Sequence, residues 1–85
     1  MDFVSMHTAD RKNSEKDLLI TIGENIRLYR RRKGMSQENL AHAADVDRTY
    51  LGYVENGKHN VSVLLLLKLA NALEIEVAAL LIQAQ

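Results

Sequence analysis

Three observations predict an all-α domain. The 85-residue chain contains no proline, the residue most damaging to a helix interior. Its apolar residues recur at three- and four-residue spacing, the helical period, and no stretch alternates at period two. A Ser or Asp stands just ahead of four of these periodic stretches, at Ser14, Ser36, Asp47 and Ser62, where an N-cap belongs. The length fits one small domain, near the lower limit for a core that stands alone. A hydrophobic share of 47% is ample for such a core, and with 5% aromatics it must be built mostly from Leu, Ile, Val and Ala. The reading is five helices in one compact domain over residues 18–85, preceded by a mostly disordered tail over residues 1–17.

The tail mixes charged, polar and isolated apolar residues without a period. Ser14 can cap the first helix, with Asp17 as the weaker half of a capping box. Leu18, Ile22, Ile26 and Tyr29 then form one apolar stripe, so the helix runs from about Lys16 or Leu19 to Lys33. Gly23 inside it costs roughly 1 kcal/mol relative to Ala, and a close helix–helix contact would explain it. Gly34 is the stop. Ser36 opens a second helix, with Leu40, Ala41 and Ala44 on one face. A tight turn at Asp45-Val46 follows, and Asp47 caps a third helix over residues 48–55 with Leu51 and Val54 inward. Asn56-Gly57 marks a loop. Ser62 caps a fourth helix over residues 63–73, its inner face Leu66, Leu69, Ala70 and Leu73. A short fifth helix over residues 77–81 closes the chain.

The second and third helices, with polar groups facing out, make a helix-turn-helix arrangement. A helix that reads bases in the major groove carries short polar or cationic side chains at its N-terminal end and on its outer face. Asp47, Arg48, Thr49 and Tyr53 have these properties. Arg48 can donate two hydrogen bonds to guanine O6 and N7, and Thr49 can meet a base edge or a thymine methyl. Gly52 leaves room for close approach. The N-terminus of the Ser36-capped helix, with Gln37, can meet phosphate. Asn56, Lys58, His59 and Asn60 lie where the backbone would pass. The plainer reading of the same residues is a solvated helix and loop.

Net charge is zero, but residues 22–60 hold seven Lys/Arg against five Asp/Glu, and both flanks come out at minus one. Arg27, Arg30, Arg31, Arg32 and Lys33 crowd the end of the first helix, where cations suit the dipole. Without cysteine there is no disulfide framework and no thiolate metal site, which fits a cytoplasmic protein. His7, His42 and His59 are scattered, Ser36 and Ser62 read as caps, and no Gly-rich phosphate loop occurs, so no enzyme, metal, cofactor or small-molecule ligand is expected. Residues 1–17 lack a signal-peptide core, and the longest apolar run, Val63 to Leu67, is too short to span a bilayer.

The string Gly34-Met35-Ser36-Gln37-Glu38-x-Leu40-Ala41, then Val46, then Leu51-x-x-Val54-Glu55-Asn56-Gly57-Lys58, continuing through Leu66-x-x-Leu69-Ala70-x-x-Leu73, resembles the phage-repressor-like regulators of the Xre/Cro family. The likeness covers roughly residues 20–82 and implies a lambda-repressor-like domain. Val46-Asp47-Arg48-Thr49-Tyr50-Leu51 further resembles the controller proteins of restriction–modification systems. The resemblance implies a homodimer that binds a palindromic operator on double-stranded DNA as repressor or activator. It implies that Asp47, Arg48, Thr49 and Tyr53 face bases or the groove, and that Gln37, Tyr50, Asn56 and Lys58 face phosphates. His59 stands where controller proteins often carry an arginine that reaches DNA, so a contact from it is lost or depends on pH. Arg30 and Glu55 match a structural ion pair of the family, whose breakage should cost about 3–5 kcal/mol. Val61 replaces a common proline, leaving the turn into the fourth helix less rigid.

The fourth helix holds more leucine than one inner face needs, and a helix apolar all round is buried all round. Val63, Leu64, Leu65 and Leu67, with Leu80 and Ile82 of the last segment, are therefore expected at a symmetric interface between two copies. That would set two recognition helices roughly 34 Å apart, one DNA turn. Packing against the N-terminal segment is the plainer alternative. A rival function is an antitoxin-like protein-interaction module without DNA specificity of its own, which the neutral charge favours.

Overall fold

The computed structural model describes residues 14–84. Five helices follow in order: α1 (Glu15–Arg32), α2 (Gln37–Ala44), α3 (Arg48–Glu55), α4 (Val63–Leu73) and α5 (Val77–Leu81). The expected tail falls mostly outside the described residues. Where it overlaps them, residues 15–17 are already helical, because the Ser14 hydroxyl accepts a long hydrogen bond from the Asp17 amide at 3.4 Å.

Side-chain caps account for the starts of the first four helices. Ser36 Oγ accepts from the Asn39 amide at 3.0 Å, and Asn39 Oδ1 accepts from the Ser36 amide at 3.3 Å, a reciprocal box. Asp47 Oδ2 accepts from the Tyr50 amide and Ser62 Oγ from the Leu65 amide, both at 3.0 Å. Each satisfies an amide that has no partner within its own helix. The turn between α2 and α3 depends on Asp45 in the left-handed region (φ 57), closed by a 2.9 Å bond from the Val46 amide to the Ala41 carbonyl. Aspartate tolerates that conformation better than most residues.

α1 lies across α3 and α5, while α2 packs on α3 and α4. Ile22 and Ile26 of α1, Leu40, Ala41 and Ala44 of α2, and Leu51 and Val54 of α3 meet α4 and Leu80 in one core. Leu18, at the head of the expected α1 stripe, stays exposed. The contact expected at Gly23 is very close: a Cβ there would lie 2.5 Å from both the Val54 and the Glu55 carbonyl oxygens. The C-terminal end of α3 thus rests directly on the α1 backbone. Asn25, two residues on and on a different side of α1, donates from Nδ2 to the carbonyls of Leu80 and Ile82, each at 2.9 Å. That polar clasp fixes the end of α5, too short to hold a position by itself.

The interface expected between copies needs correction at two positions. Leu65 and Leu80 belong to the core of the single chain, at 8% and 0% exposure. α4 buries a stripe wide enough to take in Leu65 beside Leu66, Leu69, Ala70 and Leu73. α5 lies between α1 and α4 and turns Leu80 inward. Val63 and Leu64 remain outside, at 75% and 71% exposure, with Leu67, Leu81 and Ile82 also exposed. No helix among the described residues is long and apolar enough to cross a membrane.

Candidate nucleic-acid interface

α3 has two sharply different faces. Leu51, Val54 and Glu55 are buried, whereas Arg48, Thr49 and Tyr53 are exposed. Gly52 lies between them on the outer side, and a Cβ added to it would meet nothing within 4 Å. Asp47 uses Oδ2 for its cap, which leaves Oδ1 free to accept a hydrogen bond. The N-terminal end of α3 therefore presents an acceptor, a guanidinium and a hydroxyl side by side, with open space beyond.

A buried carboxylate sets the position of that helix. Arg30 Nε donates to Glu55 Oε2 at 2.7 Å and Nη2 donates to Oε1 at 3.0 Å, the bidentate arrangement that arginine makes best. Gln37 Nε2 donates to the same Oε1 at 3.0 Å, and Arg30 Nη1 donates to the Met35 carbonyl at 2.9 Å. α1, the entry to α2 and the end of α3 thus converge on Glu55. Burial pushes the Glu55 carboxyl up, but the hydrogen bonds from Arg30 and Gln37, with the charges of Arg30 and Arg27, outweigh it and hold the group below the usual glutamate range.

The loop after α3 is braced from inside. The Tyr50 hydroxyl donates to the Asn60 carbonyl at 2.9 Å. The His59 ring sits edge-on to Tyr53 with centroids 4.8 Å apart, and 5.7 Å from Tyr50. Asn56, Lys58, His59 and Asn60 are exposed along one rim beside α3. Tyr50 differs from its expected role. Its single hydroxyl proton is already committed to Asn60, so here the phenol is a strut for the loop and not a free donor toward phosphate. Gln37 spends one amide hydrogen on Glu55 and keeps the other.

The basic run is largely spent within the fold. Arg30 is taken by Glu55, Lys33 pairs with Glu74, and the Arg32 guanidinium lies over the Tyr29 ring, 5.6 Å from its centroid. The Lys33 ammonium also holds the Glu74 carboxyl below its ordinary value. Arg27 donates from Nη2 to the Glu55 carbonyl at 3.2 Å and to Asn56 Oδ1 at 3.1 Å. Arg27 and Asn25 are the residues that sequence reasoning missed. A signal existed for Asn25, a polar residue within the apolar stripe of α1. Nothing local in the sequence distinguishes Arg27 from its basic neighbours.

A helix-turn-helix family model matches residues 26–80, a span running from mid-α1 to the end of the core. The chain belongs to the helix-turn-helix family of transcriptional regulators. This helix-turn-helix protein is a DNA-binding regulator and not an enzyme. It is 42% identical over 65 residues to the control protein C.SmaI of Serratia marcescens, covering 76% of this chain and 77% of that one. It is 39% identical over 71 residues to a hypothetical transcription factor of Neisseria meningitidis, covering 84% and 67%. The crystal structure of the restriction–modification controller protein C.AhdI from Aeromonas hydrophila aligns with a TM-score of 0.71 and 48% identity, over 73% of this regulator and 94% of that chain.

Proposed function

We propose that two copies of this chain bind a palindromic site on double-stranded DNA and regulate transcription there, with α3 in the major groove. The observation that carries this reading is the division of α3. Its inner face is anchored through Leu51, Val54 and Glu55, while Arg48, Thr49 and Tyr53 are exposed together at its outer side. In this proposal Asp47, Arg48, Thr49 and Tyr53 read bases: Arg48 by donating to guanine O6 and N7, Asp47 by accepting from cytosine N4. Gln37, Asn56, Lys58, His59 and Asn60 set position on phosphates, which carry register and not sequence. Val63, Leu64, Leu67, Leu81 and Ile82 form the face shared between copies, since an exposed apolar cluster of this kind on a small domain marks an interaction surface. Likeness to controller proteins supports a place among regulators of restriction and methylation genes.

A selection from randomised duplex DNA, followed by binding to the enriched sequence at several salt concentrations, tests this. The expected result is a two-fold symmetric consensus. Affinity should fall by roughly 10³–10⁵ between 50 and 200 mM salt if about 6–10 phosphates are contacted. No enrichment, or a salt-insensitive complex with a protein partner, would overturn the reading.

A further inference from the structure

We propose that Arg27 is a positioning residue for Asn56, turning the Asn56 amide so that its NH₂ group faces a DNA phosphate. The inference rests on the DNA-binding function proposed above. A guanidinium has donors only. Arg27 Nη2 stands 3.1 Å from Asn56 Oδ1, so the oxygen end of the amide is turned inward to meet it. The nitrogen end then points away from the fold, where Asn56 is exposed at the C-terminal end of α3. Phosphate oxygens only accept, so a free Asn56 side chain would present its wrong end about as often as its right one. Arg27 removes that ambiguity before DNA arrives, and the ordering cost is met during folding. The same Nη2 donates to the Glu55 carbonyl at 3.2 Å. That oxygen is among the last carbonyls of α3, which find no partner within their own helix. Arg27 therefore ties the helix end and its exposed amide to α1 in one contact. The Nη2 end of the guanidinium is therefore spent inside the fold, on the Glu55 carbonyl and Asn56 Oδ1, and is not free for phosphate.

Binding of the selected duplex by Asn56→Asp, Asn56→Ala, Arg27→Ala and the double alanine variant tests the inference, with melting temperatures measured in parallel. Asn56→Asp keeps an oxygen for Arg27 but replaces the outward donor with an acceptor. It should melt no lower than wild type and bind about tenfold or more weakly, with unchanged base preference. In the Arg27→Ala background, Asn56→Ala should cost less than it does alone, and Arg27→Ala should leave the salt slope unchanged. Wild-type affinity in Asn56→Asp would overturn the inference. So would alanine losses that multiply while the salt slope of Arg27→Ala drops by about one phosphate contact, the signature of a direct phosphate contact from Arg27. Both of those results require that the wild type binds DNA. A wild type that selects no duplex fails at the earlier step and overturns the DNA-binding proposal together with this one.

Discussion

Glu55 shows how a single residue sets the geometry of the binding surface. Its carboxylate is buried against Arg30 and Gln37, and removing it would leave the Arg30 guanidinium without its counter-charge. Glu55→Ala is expected to cost about 3–5 kcal/mol, read from the urea midpoint of the DNA-free protein. The pH dependence follows from the lowered value. Between the folded value and the ordinary glutamate value of about 4.3, the unfolded chain holds the proton and the folded chain does not. The stabilisation is complete above that ordinary value and is lost as pH falls through the folded one. Glu55→Gln should accordingly flatten the acid limb of the stability curve, and an unchanged limb would show that other carboxylates control it. Gly23 presents the opposite case, in which a side chain must be absent. Alanine there gains roughly 1 kcal/mol of helix propensity, but its Cβ would collide with the Val54 and Glu55 carbonyls at 2.5 Å. Neither obstacle is a flexible side-chain tip. Gly23→Ala should lower the melting temperature, by an amount matching the ~1–3 kcal/mol of an overpacked contact.

At the scale of elements, α3 divides its work by face, and its outer residues can be tested without disturbing the fold. Arg48 is exposed and makes no hydrogen bond or ion pair within the described residues. Arg48→Ala should leave the melting temperature within error of wild type. It should relax preference at one base position of each half-site at a cost of ~1–3 kcal/mol, measured by repeating the selection. Unchanged specificity would place the recognition surface elsewhere. α1 divides by register. Its run of cations resembles a phosphate-binding stripe, yet Arg30, Lys33 and Arg32 are drawn to Glu55, Glu74 and the Tyr29 ring. Helix boundaries and inward faces were legible in sequence because caps and three/four spacing are local signals. The partners of Arg27 and Lys33 were not, because they lie 28 to 41 residues away in the chain; the Arg30–Glu55 pair was expected only through the family resemblance.

For the molecule as a whole, the decisive question is where the core ends and the outer apolar face begins. Leu64→Glu places a charge on an exposed position and should leave the melting temperature of the monomer near that of wild type. It should shift sedimentation toward the mass of one chain and weaken binding to the symmetric site. Leu80→Ala should instead cost about 2–5 kcal/mol, because Leu80 is fully buried among α1, α4 and α5. If Leu64→Glu sediments as wild type does, the proposed face is not the one that joins two copies.

The sequence by itself determined the five helices, their order, and the polar and apolar faces of α2 and α3, since periodicity and capping act over a few residues. Only the tertiary structure decided that Leu65 and Leu80 lie inside, that Tyr50 braces a loop, and that Arg27 holds the end of α3. A leucine-rich helix has no intrinsic inside until its neighbours cover part of it, and an arginine has no partner until folding brings one within hydrogen-bonding distance.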